Sequence, residues 1–283
     1  MAEPLEAALK ISIVVFMAGN LLAMGLVLKI PDVLKGLRDL RFVLLSLLLG
    51  FLVFPAVAWL IVQLVPMHAS FGMGLLVLGM VPCAPFLPAM VERAGGDIGY
   101  TASFMLLMSL LTVLYMPLAV PLMVEGLETD AWTIARPLIV MVLIPFVVGM
   151  LIQNASAAYA LRLHPLVKKT TGAVTLIMLV LCIVVYGEGF LEAVGSFAVA
   201  AQLLFYAAVI LVSILFARGL QPEHRSVLSL GMCTRNLGAA FAPLYALGTI
   251  DERAIIMVAL GVPLQVLAAF LLASGYRHRA ACH

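Results

Sequence analysis

Nine stretches of this chain are apolar for about twenty residues at a time, with short polar segments between them. They lie at about 9–29, 42–65, 70–91, 99–124, 133–153, 170–187, 195–217, 226–248 and 253–276. Each approaches the ~20 residues an α-helix needs to cross the hydrocarbon core of a bilayer, so the pattern predicts nine membrane-spanning helices. Two of the nine are interrupted. The third carries Gly-Met-Val-Pro-Cys-Ala-Pro-Phe-Leu-Pro over 79–88, and Pro82, Pro85 and Pro88 recur every three residues. Each proline removes a backbone donor and clashes with the preceding turn. The eighth carries Gly-Met-Cys-Thr-Arg-Asn-Leu-Gly over 231–238, which puts Thr234, Arg235 and Asn236 at mid-depth. A charge near the bilayer centre costs ~2.5–3.5 kcal/mol on insertion scales, and lipid offers no partner for free backbone groups. Both stretches are therefore predicted to be broken helices that face protein or a cavity.

The two breaks begin with the same tripeptide, Leu78-Gly79-Met80 and Leu230-Gly231-Met232. Matched interruptions in two halves of a chain point to the binding site of a secondary transporter. Pro82, Cys83, Pro85, Pro88, Cys233, Thr234, Arg235 and Asn236 are accordingly the candidate substrate-binding residues. Helix N-termini at the breaks would add about half a positive charge each. A competing reading makes the second break a small-residue packing seam, with Arg235 satisfied by carbonyls and Cys83 a small buried hydrophobe.

Composition places the chain in lipid. It is 65% hydrophobic and 11% charged, with a mean hydropathy of +1.20, whereas soluble domains carry about 25% charged residues. Cys83, Cys182, Cys233 and Cys282 have no paired CxxC spacing, which argues against a disulfide framework or a zinc site. The five histidines fall in predicted loops or the tail. No metalloprotease, nucleophile-elbow or phosphate-loop motif occurs, so no enzyme, cofactor, metal or nucleic-acid role is expected.

The charges alternate from side to side. Lys29, Lys35, Arg38, Arg41, Arg93, Arg162, Lys168, Lys169, Arg218, Arg225, Arg277 and Arg279 fall on one side, twelve of the sixteen Lys and Arg. Glu3, Glu6, Glu125, Glu128, Asp130, Glu188, Glu192, Asp251 and Glu252 fall on the other, with only Lys10, Arg136 and Arg253. The positive-inside rule then puts the N-terminus outside and the C-terminus in the cytoplasm of a plasma or inner membrane. Nine spans fit that orientation. They divide as four plus five: residues 1–124, an outer connecting loop at 125–132, and residues 133–283. The first four spans then run opposite to the last four, an inverted repeat. Gln202 and Gln265 are expected to be interhelical hydrogen-bond partners.

These features resemble the bile acid:sodium symporter family. The residues that carry the resemblance are the third span broken after Leu-Gly-Met, the Gly96-Asp97 turn and the broken eighth span. The resemblance implies a panel of spans 1, 5 and 6 and a core of spans 2, 3, 4, 7, 8 and 9. The broken spans would cross in that core beside a crevice for an amphipathic organic anion. Several residues depart from the family pattern. Leu87 and Pro88 stand where the family offers Ser-Asn to sodium; Thr101 is kept, but its companion Thr is Met105. Ser229 and Cys233 replace a Glu and a Gln, and Gly50 replaces a Gln. Thr101 and Ser229 remain as weak coupling-ion candidates. Sodium coupling is therefore not expected to carry over. Cys83, Tyr100-Thr101-Ala102 and 115–119 also resemble arsenite efflux permeases, where a cysteine serves a thiophilic metalloid; the acid those proteins carry before Val-Pro is here Gly261.

The expectation is an all-α polytopic membrane protein that moves a small or amphipathic organic anion by alternating access. The alternatives are metalloid efflux through Cys83, and a transport-inactive membrane sensor or scaffold with the same fold.

Overall fold

The structure is a computed structural model that describes residues 2–123, 130–246 and 251–281. Twelve helices follow one another among the described residues. In chain order they are α1 (Ala2–Gly25), α2 (Ile30–Leu37), α3 (Leu40–Leu64), α4 (Ala69–Gly79), α5 (Leu87–Arg93) and α6 (Ile98–Met123). After the undescribed part of the 125–132 loop come α7 (Ala131–Ala155), α8 (Ala157–Gly195), α9 (Ala198–Ala217), α10 (Pro222–Cys233), α11 (Leu237–Ala246) and α12 (Glu252–Ala281). Seven of them, α1, α3, α6, α7, α8, α9 and α12, are long and apolar enough to cross a membrane. The two expected spans missing from that set are the two that carry the breaks.

Local chemistry accounts for the helix starts. Asp39 caps α3 by accepting from Phe42 N at 3.1 Å, Asp130 caps α7 from Thr133 N at 3.2 Å, and Ser156 caps α8 from Tyr159 N at 3.3 Å. In α3 and α7 a single wide π-helical turn, Leu49–Val53 and Ile139–Leu143, immediately precedes Pro55 and Pro145. The wider turn accommodates a residue that cannot donate and that crowds the carbonyl behind it.

Three segments expected to be loops are partly helical. Residues 29–41 contain α2, which starts at a proline and buries Val33 and Gly36 against α6. Gly36 N donates to Ser103 Oγ at 3.0 Å, and that hydroxyl donates to Val33 O at 2.6 Å. Residues 154–169 are almost wholly helix, because Ser156 starts α8 well ahead of the apolar span; the helix kinks at Tyr186. Residues 217–226 include the start of α10 at Pro222. His164, His224 and His278 are therefore helical residues, His68 caps α4, and His283 lies outside the described residues.

Basic and acidic connections gather at opposite ends. At the basic end Lys35 pairs with Asp97 at 2.7 Å, and Asp97 N donates to Glu223 O at 3.3 Å. At the acidic end Arg253 pairs with Glu192 at 2.9 Å and Asp251 at 3.0 Å, and Ser70 Oγ donates to Asp251 at 3.0 Å. α1 packs on α8 and α7, α4 on α12, and α9 on α10. α1 and α7 meet backbone to backbone at Gly25 and Gly149. A Cβ on Gly149 would fall 2.9 Å from Gly25 Cα, so the small residues set that helix spacing. Outward-facing Leu, Ile and Val on α8 remain exposed to what is lipid in a bilayer.

Candidate functional site

The two breaks meet in the interior and complete each other's hydrogen bonding. Met80 to Phe86 and Thr234 to Asn236 are the non-helical residues of the two segments, and Pro82 and Arg235 form an antiparallel bridge. Cys83 N donates to Thr234 O at 2.8 Å and to Gly231 O at 3.2 Å; Asn236 N donates to Val81 O at 2.8 Å. Ala84 N donates to Thr234 Oγ1 at 3.2 Å. The sequence explains why these residues leave the helix: a residue before proline is pushed toward extended geometry, which applies to Val81 and Ala84. Cys83 takes a φ of 75°, a left-handed conformation uncommon for a residue with a Cβ. Each backbone group left unpaired at this depth would cost several kcal/mol. The pairing across some 150 residues of chain removes that cost.

Asn236 restarts the helix beyond the break, its Oδ1 accepting from Ala239 N at 3.2 Å. Arg235 is fully buried. Its backbone N–H donates to Gln265 Oε1 at 2.6 Å, and its Nη1 donates to Gly79 O at 3.3 Å, a carbonyl released where α4 ends. The guanidinium carbon lies 5.3 Å from the Phe54 ring centre and 5.0 Å from that of Phe205. Gln202 Nε2 donates to Met257 O at 2.9 Å. Gln202 thus bonds from helix to helix, as expected, whereas Gln265 accepts from the non-helical backbone of the second break.

Two cavities flank the crossing. The central one, about 240 Å³, lies between α1 and α8 on one side and residues 84–86 and 235–238 on the other, with Val262, Gln265 and Val266 of α12. Its polar residues are Asn20, Thr175, Arg235, Asn236 and Gln265, and no acidic side chain among the described residues lines it. The second, about 400 Å³, opens toward the basic end and carries Asp32, Glu92, Thr101, His164 and Lys168. Asn20, Pro85 and Phe86 line both, so the two are neighbours along one wall.

Of the residues singled out in the sequence, Pro85, Pro88, Thr101, Arg235 and Asn236 border these cavities. Arg235 does so without its guanidinium's neighbours: Gly79, Phe54 and Phe205 line neither cavity. Pro82, Cys83, Cys233, Thr234 and Ser229 line neither, and the Cys83 and Cys233 thiols are buried. Asn20, Gln265, Thr175 and Lys168 complete the walls. The signal for Asn20 and Gln265 was a polar residue in an otherwise apolar span. Lys168 was read only as a topology charge.

The two residues that the resemblance leaves as coupling-ion candidates are hydrogen-bonded within the protein. Thr101 Oγ1 donates to Asp97 O at 2.8 Å, and Ser229 Oγ shares a hydrogen bond of 2.9 Å with Tyr276 OH. A Cβ at Gly50 would meet Met108 Sδ, Pro82 Cγ and Met232 Cε at 3.2–3.6 Å, all poor partners for a hard cation.

Apolar helices around two broken segments that pair in the interior, with cavities beside them, define a polytopic membrane protein of transporter type. The profile of the Sodium Bile acid symporter family matches residues 14–196, well over half of the chain and including the first break. The chain belongs to that family. No curated protein matches it.

Proposed function

We propose that this protein is a secondary-active transporter that moves a small or amphipathic organic anion by alternating access, without sodium coupling. The observation that carries the reading is the pair of mutually hydrogen-bonded breaks with a cavity on their flank. In this reading the chain crosses the membrane nine times as an inverted repeat of 1–124 and 133–283 joined at 125–132. α1, α7 and α8 form the panel, and the remaining membrane helices form the core that rocks against it. The basic end faces the cytoplasm of a plasma or inner membrane.

The substrate class follows from the walls. The central cavity is mostly apolar, has no carboxylate among the described residues, and presents the amides of Asn236 and Gln265 and the first turn of α11. The basic-end cavity carries Lys168 and His164 together with Asp32 and Glu92, so it adds no net positive charge, and the preference for an anion rests on the central cavity. An anionic head with an apolar body suits the central cavity, where amides and the start of α11 meet it, better than a cation does. Metalloid efflux through Cys83 has less support, because that thiol is buried and borders neither cavity.

Uptake into proteoliposomes with a panel of carboxylates and sulfonates tests the reading. Saturable uptake of at least one anion is expected, with the rate unchanged when potassium replaces sodium. A steep dependence on the sodium gradient would overturn the uncoupled mechanism. Absence of uptake across the panel would favour a sensor or scaffold.

A further inference from the structure

The crossing of the two breaks is built from groups that attract a cation. α4 ends at Gly79 and α10 at Cys233, and both C-termini turn into the crossing. Each helix C-terminus carries the equivalent of about half a negative charge on carbonyls with no intrahelical partner. Gly79 O is one of these carbonyls, and beside it stand the rings of Phe54 and Phe205. An aromatic face within about 6 Å of a cation is attractive, more so when both are out of water. Arg235 fills this place with a fully buried guanidinium, yet among the described residues it makes no ion pair with any Asp or Glu. Its Nε and Nη2 have no hydrogen-bond partner among the described residues. A guanidinium cannot shed its charge to escape this cost. What compensates it is therefore the negative helix end and the two ring faces, not a carboxylate.

We infer that the crossing is a monovalent-cation site permanently occupied by the protein's own cation, the Arg235 guanidinium, which bolts the end of α4 to the restart of the chain at α11. Arg235 is thus a positioning residue for the cavity wall formed by Asn236 and Gln265, and not a group that touches substrate. Its backbone N–H holds Gln265 while its side chain holds Gly79. A fixed cation here also removes any need for one to arrive from solution, which deepens the proposed uncoupled mechanism. The inference about the site stands without that mechanism, since its test reads stability alone.

The test uses the purified full-length protein in detergent. Arg235→Ala empties the site, and its Tm is measured with low-millimolar n-propylguanidinium, neutral n-propylurea, or sodium chloride at matched ionic strength. The expected result is a lowered Tm that n-propylguanidinium raises saturably, by about 3–5 °C at ten times its Kd. The urea and the salt control leave it low, and the wild type does not respond. Equal rescue by n-propylurea would mean a void being filled, and no rescue by either would mean no cation site; both overturn the inference. Should Arg235→Ala fail to fold, Arg235→Lys and Arg235→Met decide. Lys, which keeps the charge, is expected to melt above Met, which keeps the bulk. A Met variant as stable as Lys or more so would overturn the assignment.

Discussion

Asn236 is where two demands on one residue meet. Its side chain restarts α11 after the break, and it borders the central cavity. The two roles separate on substitution. Asp caps a helix as well as Asn does, so Asn236→Asp is expected to keep the Tm of the wild type. It also places a carboxylate in a wall that has none among the described residues. Anion binding is expected to weaken by at least about tenfold once that carboxylate is charged, since like charges a few ångströms apart repel strongly out of water. Equilibrium binding of a transported anion, measured beside Tm, checks this; unchanged affinity would remove the substrate from Asn236. Cys83 shows how a neighbouring residue can be essential to the site without touching it. Its left-handed backbone turns the chain so that its N–H reaches two carbonyls of the other break, while its thiol stays buried.

At the scale of elements, the broken helices were visible in the sequence because prolines and glycines act on their own neighbours. The helix α2 was not. Lys35 within it, with Lys29, Arg38 and Arg41 on its flanks, read as a topology-setting loop, and only its contact with α6 shows why it is ordered. The Lys35–Asp97 pair pins it there. Burial pushes the Asp97 carboxyl up, but the Lys35 hydrogen bond and the amides of Tyr100 and Gly99 outweigh this and hold it below the usual carboxylate range. The same bond holds the Lys35 ammonium above its ordinary value. The Asp97 contribution is thus present above its unfolded-state value and is lost as pH falls through the lower, folded one. That of Lys35 is present below its unfolded-state value and is lost as pH rises through the higher, folded one. Docking of α2 is therefore expected to be flat from roughly pH 5 to 9. Asp97→Asn should speed hydrogen exchange of the α2 amides across that range while leaving the global Tm little changed, because exposed pairs contribute little. Protection of α2 equal to wild type would show that its apolar face alone holds it.

Across the whole molecule, the ends of the helices are sorted by charge: Lys35 and Arg225 lie with Asp97 and Glu223 at one end, and Glu192, Asp251 and Arg253 at the other. In the orientation proposed above, with the basic end in the cytoplasm, the second cavity would open inward. A reporter fused after His283 is expected to be cytoplasmic. A cysteine introduced at Ala89, on the basic-end cavity, should react with an impermeant thiol reagent only from that side. Among the described residues the native Cys83, Cys182 and Cys233 are buried, and Cys282→Ser removes the remaining thiol from the labelling background. Labelling of Ala89→Cys from the outer side, or an extracytoplasmic reporter, would reverse the orientation.

What the chain alone determined was where lipid ends and where helices must stop. Those depend on residue type within a few positions: twenty apolar residues for a span, Pro82, Pro85 and Pro88 for a break, Lys and Arg at one set of ends. The tertiary structure decided which polar groups meet. Cys83 and Thr234 are far apart in sequence, and nothing local says that the amide of one finds the carbonyl of the other. Arg235 illustrates the same division. Its charge at mid-depth was plain from the sequence, and a buried cation must have a partner. Whether that partner was a ligand in the cavity or a carbonyl behind it depended on the direction in which the non-helical residues around it aimed the side chain, and that direction is set by the opposing break. The 2.8 Å bonds that lock the two breaks together send the Arg235 guanidinium toward Gly79, Phe54 and Phe205, and leave Asn236 and Gln265 to form the wall.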